Sequence, residues 1–160
     1  ELFVKSGLKG AAADDIESVE WTKQAFQNPF APLPAITRLP VHLVWSSPHL
    51  AVLSVHMFRE VVAVAKARGV SLSKHPAWSL FSIETWRAAP FQEAVRMIND
   101  VGARVSTSGR THIIPSMLQD VLAGKQTEIE ETVGHVMKEG QRLGIPVAST
   151  EFAYPTVKAI

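Results

Sequence analysis

Polar side chains stand at two helix starts that follow one another in the stretch SMLQDVLAGKQTEIEE. Ser116 precedes Gln119 by three residues, and Thr127 precedes Glu130 by three. With this spacing the side chains satisfy free N–H groups in the first turn of a helix. Two helix amino ends directed at one place favour the binding of an anionic or carbonyl group. Ordinary helix caps without a ligand have the same spacing, so the pattern alone leaves both readings open.

The same stretch closely resembles the C-terminal domain of the ketopantoate reductases, also called 2-dehydropantoate 2-reductases. That family combines a Ser-Met-Leu-Gln-Asp helix start, a basic turn and a Thr-Glu-Ile segment. Here these parts are residues 116–120, Lys125 and residues 127–129. The family's second signature is Trp-x-Lys after a short acidic approach, and DDIESVEWTK matches it, with Trp21 and Lys23 at its end.

The resemblance implies an NADPH-dependent reduction of a 2-keto acid, with Lys23 and Glu128 as catalytic residues. Hydride transfer to a ketone leaves negative charge on oxygen, and a lysine ammonium can supply the proton. Glu128 would orient the lysine, accept a hydrogen bond from a substrate hydroxyl and offer a contact to the cofactor. Ser116 would bind the substrate carboxylate. Without the resemblance, Lys23 reads as a solvated lysine and Glu128 as an acid at a helix amino end.

The chain departs from the family at the amides that hold the substrate. Asparagines are usual four and eight residues after the lysine, where this chain has Gln27 and Ala31. Asn28 precedes a proline as a family asparagine does, but three residues early, which would turn it to another helix face. The family has a further asparagine directly after a proline, and here that position, after Pro40, is Val41. We therefore expect Gln27 and Asn28 to bind substrate. The resemblance implies reduction of 2-dehydropantoate to pantoate, a step of pantothenate biosynthesis, and the missing amides make a less polar carbonyl substrate the alternative.

Helices that position these residues follow from capping signals and apolar spacing. The clearest runs from Ser47 to Gly69, with Ser47 as N-cap, a proline next and Gly69 as the stop; it is predicted to be central and mostly buried. Gly124 and Lys125 predict a helix end before the second polar turn. Three more helices are predicted over residues 91–105, 128–143 and 149–160, and the proline-rich segment 29–40 is predicted to be broken helix or loop.

Composition indicates one domain that binds neither nucleic acid nor a membrane. The 160 residues are 46% hydrophobic, which is enough for a sizeable core. A net charge of +1 gives no basis for binding nucleic acid or an anionic membrane. The absence of cysteine excludes disulfides and thiolate chemistry, and the histidines are not spaced as metal ligands. We expect a cytoplasmic protein with no metal.

The resemblance also implies the domain organisation. Residues 14–160 would be an all-α helical bundle of the 6-phosphogluconate dehydrogenase C-terminal type. Residues 1–13 would be the tail of, or linker from, an N-terminal Rossmann domain that binds most of the NADPH. The isolated domain would be inactive, and a homodimer is an expected partner. Two alternatives remain: reduction of a different, less polar carbonyl substrate, and a non-catalytic helical module for dimerisation or sensing.

Overall fold

The computed structural model describes residues 6–7, 12–72, 83–109, 111 and 114–160. Within these ranges the chain forms α-helices and no strand, which confirms the all-α prediction. In chain order the helices are α1 (Ile16–Phe30), α2 (Pro32–Thr37), α3 (Val41–Ser46), α4 (Pro48–Ala67), α5 (Ile83–Ala88), α6 (Phe91–Thr107), α7 (Ser116–Leu122), α8 (Val133–Leu143) and α9 (Ala148–Lys158). Most of the predicted tail, residues 1–13, lies outside the described residues.

Helix α4 is the central element, as predicted. The Ser47 hydroxyl accepts a hydrogen bond from the Leu50 N–H at 3.4 Å, Pro48 is the first helical residue, and Gly69 ends the segment with φ of +79°. Positive φ strains every residue with a Cβ, which explains why a glycine stands there. Helices α1, α3, α6, α8 and α9 all pack against α4. Its buried residues make the middle of the core: Ala51, Val55, Met57, Phe58, Val61, Val64 and Ala65.

Helix α1 carries the predicted Trp-x-Lys and lies against α4. It begins where the Asp15 carboxylate accepts a hydrogen bond from the Ser18 N–H at 3.0 Å. Ser18 also donates its hydroxyl to the carbonyl of Ser71 at 2.5 Å, which ties the first turn to the segment after α4. Trp21 and Ala25 follow at helical spacing and are buried, so α1 has one core face and one exposed face.

Helices α3 and α6 approach each other closely at Gly102. A Cβ on this residue would lie 2.6 Å from the backbone nitrogen of Ser46 and 2.8 Å from the carbonyl carbon of Trp45. The side-chain amide of Asn99 donates to the Trp45 carbonyl at 2.6 Å and fixes the same contact. Glycine is therefore required at residue 102 by the approach of a neighbouring backbone.

Helix α7 begins at Ser116 as predicted, but Ser116 is not its cap, and the predicted helix start at Thr127 is wrong. Ser116 lies inside α7 at its first position, because Pro115, which has extended backbone angles, takes the cap position. Gln119 donates instead to the carbonyl of Ile114 at 2.9 Å. Thr127 also caps nothing: the chain forms turns through residue 132, and α8 begins only at Val133 rather than at residue 128. The predicted end of α7 is confirmed.

The turn before α8 has its own hydrogen bonds. The Gly134 N–H donates to the Ile129 carbonyl at 2.8 Å, a spacing of five residues that an α-helix does not use. The Thr132 hydroxyl and N–H both donate to the Glu128 carbonyl, at 2.6 and 3.2 Å. These bonds, which the capping pattern did not predict, fix residues 128–134 as a compact turn beside α1.

Candidate active site

A cleft of about 430 Å³ lies between α1 and the turn that leads into α8. We call it the polar cleft. The polar side chains on the α1 wall belong to residues 20, 23, 24 and 27, which share one face of the helix. On the opposite wall the lining residues have the same spacing, at 128, 131, 132 and 135. The residues that line it are Glu20, Trp21, Lys23, Gln24, Gln27, Glu128, Glu131, Thr132 and His135.

Lys23 reaches the polar cleft because its neighbours on α1 are anchored in the core. Trp21 is 4% exposed and Thr22 is fully buried, whereas Lys23 is exposed. In a helix successive side chains differ by about 100° in direction, so burial of residues 21, 22 and 25 turns residue 23 outward. The lysine is thus held on a rigid helix with a free ammonium group.

Trp21 lines the polar cleft and contacts both His135 and Arg68. Its ring lies 5.7 Å from that of His135, centroid to centroid, and the guanidinium of Arg68 stands 5.4 Å from the ring centroid. Arg68 pairs with Glu17 at 2.7 Å and also with Glu139. Such cation–π and ion-pair contacts restrict the indole to one orientation.

Glu128 projects from the fixed turn on the opposite wall and is exposed to the polar cleft. Among the described residues, neither Lys23 nor Glu128 makes an ion pair, so both charges are available to a ligand. The cleft also holds the carboxylates of Glu20 and Glu131. It therefore combines one ammonium donor with several carboxylate acceptors.

The side chain of Glu130 anchors this turn to α9. Hydrogen bonds from Lys158, from the Tyr154 hydroxyl at 2.6 Å and from Lys138 at 3.2 Å reach its carboxylate. These three donors, Lys158 first, lower the pKa of Glu130 from 4.5 to about 2. The anchored residue lies two positions after Glu128, so the ion pairs help to fix the wall that presents Glu128.

The structure brings only some of the predicted site residues together. Lys23, Glu128 and Gln27 line the polar cleft. Asn28 is fully buried and does not line the cleft, and both polar atoms of its amide lack a partner among the described residues. Ser116 is exposed at the start of α7 and does not line the cleft.

Gln24, Glu131 and His135 line the polar cleft but were not predicted. A signal for them exists in the sequence, because residues 20, 23, 24 and 27 form one helical stripe of polar side chains. Recognising residues 128–135 as the facing stripe requires knowledge that the two segments meet. No group of three metal-ligating side chains occurs in the ranges that the structure describes.

None of the helices in the described part of the chain is both long enough and apolar enough to cross a membrane. His42, which is buried, and His56, whose ring lies 4.7 Å from that of Phe91, are both accounted for by packing.

Solved structures share this arrangement of helices. A PanE/ApbA family ketopantoate reductase from Ralstonia eutropha superposes with a TM-score of 0.74 at 23% identity, covering 99% of this chain and 45% of that one. D-mandelate dehydrogenase, solved with NADH and anilino(oxo)acetate, also gives 0.74, at 17% identity, with 99% and 57% covered. At these identities the likeness establishes the fold.

Curated relatives are similar along nearly the whole chain. The 2-dehydropantoate 2-reductase of Pyrobaculum aerophilum is 26% identical over 159 residues, which are 99% of this chain and 49% of the relative. That of Archaeoglobus fulgidus is 28% identical over 148 residues, 92% of this chain and 42% of the relative. The chain thus spans about half the length of the curated relatives that it matches.

The family model described as "Ketopantoate reductase PanE/ApbA C terminal" matches residues 15–160. That match begins at the cap of α1, includes both walls of the polar cleft and ends with the chain. The resemblance drawn from the Trp-x-Lys and Thr-Glu-Ile motifs is therefore confirmed, and the chain belongs to the ketopantoate reductase C-terminal domain family.

Proposed function

We propose that residues 14–160 are the substrate-binding and catalytic half of an NADPH-dependent 2-keto-acid reductase, most like ketopantoate reductase. The observation that carries the proposal is that Lys23 and Glu128 line one cleft and that neither makes an ion pair with another described residue. The two residues are more than one hundred positions apart in the sequence. A scaffold that only packs or dimerises has no need to leave an ammonium and a carboxylate free at such a place.

Lys23 is the proposed proton donor. Reduction of a 2-keto acid places negative charge on the former carbonyl oxygen, and an ammonium group stabilises that charge and then transfers its proton. Its position on α1, between buried residues, keeps the lysine stem directed into the polar cleft. A group fixed in this way requires little reorganisation as charge develops.

Glu128 is the proposed orienting carboxylate. Across the cleft it can accept hydrogen bonds from the Lys23 ammonium and from a hydroxyl group. Gln27 supplies an amide that can hold a carboxylate or carbonyl oxygen of the substrate. Ser116 does not line the polar cleft, but it remains the residue proposed to bind the substrate carboxylate. Asn28 has no role in this proposal, because it is buried away from the cleft.

The residues of the polar cleft fit one face of a reduced nicotinamide and its substrate. Carboxylates suit ribose and substrate hydroxyls, whereas the ammonium and amides suit carbonyl oxygens. When bound, NADPH supplies the hydride. Most of its binding surface belongs to the N-terminal nucleotide-binding domain that we propose precedes residue 14, and residues 1–13 are its tail or linker. The relatives' greater length supports this organisation.

A different 2-keto acid is the second candidate substrate. Ala31 and Val41 stand where the family's amides are expected, and both are buried outside the polar cleft. The chain therefore offers fewer amides than a site built for ketopantoate. One structure with the same fold is a D-mandelate dehydrogenase bound to an aromatic oxo acid derivative, so the fold accommodates bulkier substrates. A homodimer is also proposed, since one relative of this fold is a dimeric ketopantoate reductase.

The test is NADPH oxidation by the full-length protein with ketopantoate and a panel of bulkier 2-keto acids. Lys23→Ala should lower kcat by about two to four orders of magnitude, the range for a general acid. Lys66→Ala is the matched control, an exposed lysine on α4 that does not line the polar cleft. Equal loss in both variants contradicts the role of Lys23. No turnover of any 2-keto acid by a folded, NADPH-binding protein contradicts the reductase and favours the non-catalytic module.

A further inference from the structure

Gln24 contributes an unsatisfied amide to the polar cleft. Its side-chain oxygen, Oε1, is buried and has no hydrogen-bond partner among the described residues. Among the described residues that line this cleft, no other has a buried side-chain polar atom without a partner. The residue lies directly after Lys23 on α1.

The α1 backbone offers no donor to this oxygen. N–H groups in the middle of a helix already donate to the carbonyl four residues earlier, so a side chain at position 24 finds no free donor there. A buried acceptor without a partner destabilises the folded chain, and native proteins retain few of them. The arrangement at Gln24 is therefore the kind that a bound ligand completes.

We propose that Gln24 determines substrate specificity by accepting a hydrogen bond from a hydroxyl or N–H group of the substrate. This inference rests on the proposed reductase function and names the chemical class of substrate that the cleft selects. Oε1 is shielded from solvent, so the amide meets the ligand by turning about its last torsion. That torsion joins sp³ and sp² carbons and is broad, which makes the turn easy.

The position of Gln24 defines where the donor lies on the substrate. Residues 23 and 24 differ by about 1.5 Å in rise and about 100° in direction on α1. Lys23 is assigned to the reacting oxygen, so Gln24 faces a group a short distance from the carbonyl. A neutral acceptor suits an uncharged hydroxyl there, because the side chain itself adds no further negative charge beside Glu20 and Glu131.

A pair of compounds that differ by one hydroxyl tests the inference directly. Ketopantoate has a terminal hydroxyl, and trimethylpyruvate has hydrogen in its place on the same carbon skeleton. In the full-length wild-type protein we expect kcat/KM to favour ketopantoate by about tenfold, the effect of one hydrogen bond. Gln24→Met removes the amide but preserves side-chain length and helix propensity. It should bring the two kcat/KM values within about twofold of each other.

Gln141→Met is the control, since Gln141 lies on α8, bonds to Glu151 and does not line the cleft. The same preference in wild type and Gln24→Met overturns the inference while leaving the reductase in place. If a folded, NADPH-binding wild-type protein reduces neither these two compounds nor any other 2-keto acid of the panel, the proposed function fails instead. Calorimetric titration with both compounds then decides the role of Gln24. Equal affinities, or no binding, overturn it; tighter wild-type binding of ketopantoate that Gln24→Met abolishes supports it.

Discussion

The carboxylate of Glu60, on α4, caps the amino end of α9 at Thr150. Its Oε2 accepts from the backbone N–H of Thr150 at 2.8 Å and from the hydroxyl at 2.7 Å. Its Oε1 accepts from the Ser149 N–H, also at 2.8 Å. Val147, the residue at the cap position of α9, makes no side-chain hydrogen bond. A carboxylate about ninety positions away in the sequence thus supplies the cap that the local sequence lacks.

Replacing Glu60 with alanine should lower the free energy of unfolding by about 2–3 kcal/mol. The change leaves two N–H groups and the buried hydroxyl of Thr150 without an acceptor, and hydrogen bonds to a charged group are the stronger class. Urea unfolding followed by circular dichroism measures the difference. Glu151→Ala is the control, an exposed acid in the first turn of α9, expected to cost less than about 1 kcal/mol. If both variants lose the same free energy of unfolding, the Glu60 cap adds no stability beyond that of an ordinary acid near the helix start.

Stability should fall as the pH drops from 4.5 to about 2. In the folded chain the pKa of Glu130 is lowered to about 2, and hydrogen bonds from Arg142 and then Arg68 lower the pKa of Glu139 equally far, from 4.5. Because the folded state binds these protons less readily than the unfolded one, both carboxylates stabilise the fold above pH 4.5 and lose that effect below it.

The double variant Glu130→Gln/Glu139→Gln tests this dependence. It should be less stable than wild type near neutral pH and show a flatter decline of unfolding free energy across that window, measured by urea titration at successive pH values. Parallel curves for the two proteins would contradict the assignment. Added salt should reduce the wild-type slope as well, since both clusters are partly exposed.

Gly102→Ala should destabilise the chain by about 3 kcal/mol, because its Cβ would overlap the backbone of α3 rather than a movable side-chain end. Thermal or urea unfolding provides the measurement. Asp100→Ala, at an exposed position of the same helix, is expected to remain within about 0.5 kcal/mol of wild type. A stable Gly102→Ala protein would show that α3 and α6 can separate without cost.

The helices that the sequence predicted well are those whose signals are local. Helix α4 has its cap, its first proline and its terminal glycine within the element, and the structure keeps all three. The capping spacing at Ser116 and Thr127 did not predict the caps, because the backbone of neighbouring residues sets where these helices begin. Pro115 is already set in extended geometry, and the bond from Gly134 to Ile129 closes a wider turn before α8 can begin.

The candidate site was predictable only through the family motifs. Composition and periodicity mark Lys23 and Glu128 as ordinary surface charges, and only their motifs single them out. Gln24 and His135 belong to no motif that we recognised. Their place in the cleft depends on α1 meeting the turn before α8, a tertiary contact between segments that local patterns do not encode. Asn28 is the opposite case: its Asn-Pro pair resembles a family motif, but the residue is buried in the core and does not line the cleft.

Glu128 and Glu131 allow a test of function between two acids of the same cleft. Both are exposed and both line it, but only Glu128 belongs to the Thr-Glu-Ile segment. Glu128→Gln retains the shape and some hydrogen bonding but loses the charge that we propose orients the lysine ammonium. In the full-length protein we expect kcat/KM for the preferred 2-keto acid to fall about 10- to 100-fold. Glu131→Gln should change it by less than about threefold. If kcat/KM falls more in Glu131→Gln than in Glu128→Gln, Glu131 is the residue that orients the lysine, and it is Glu131 that faces the reacting carbonyl.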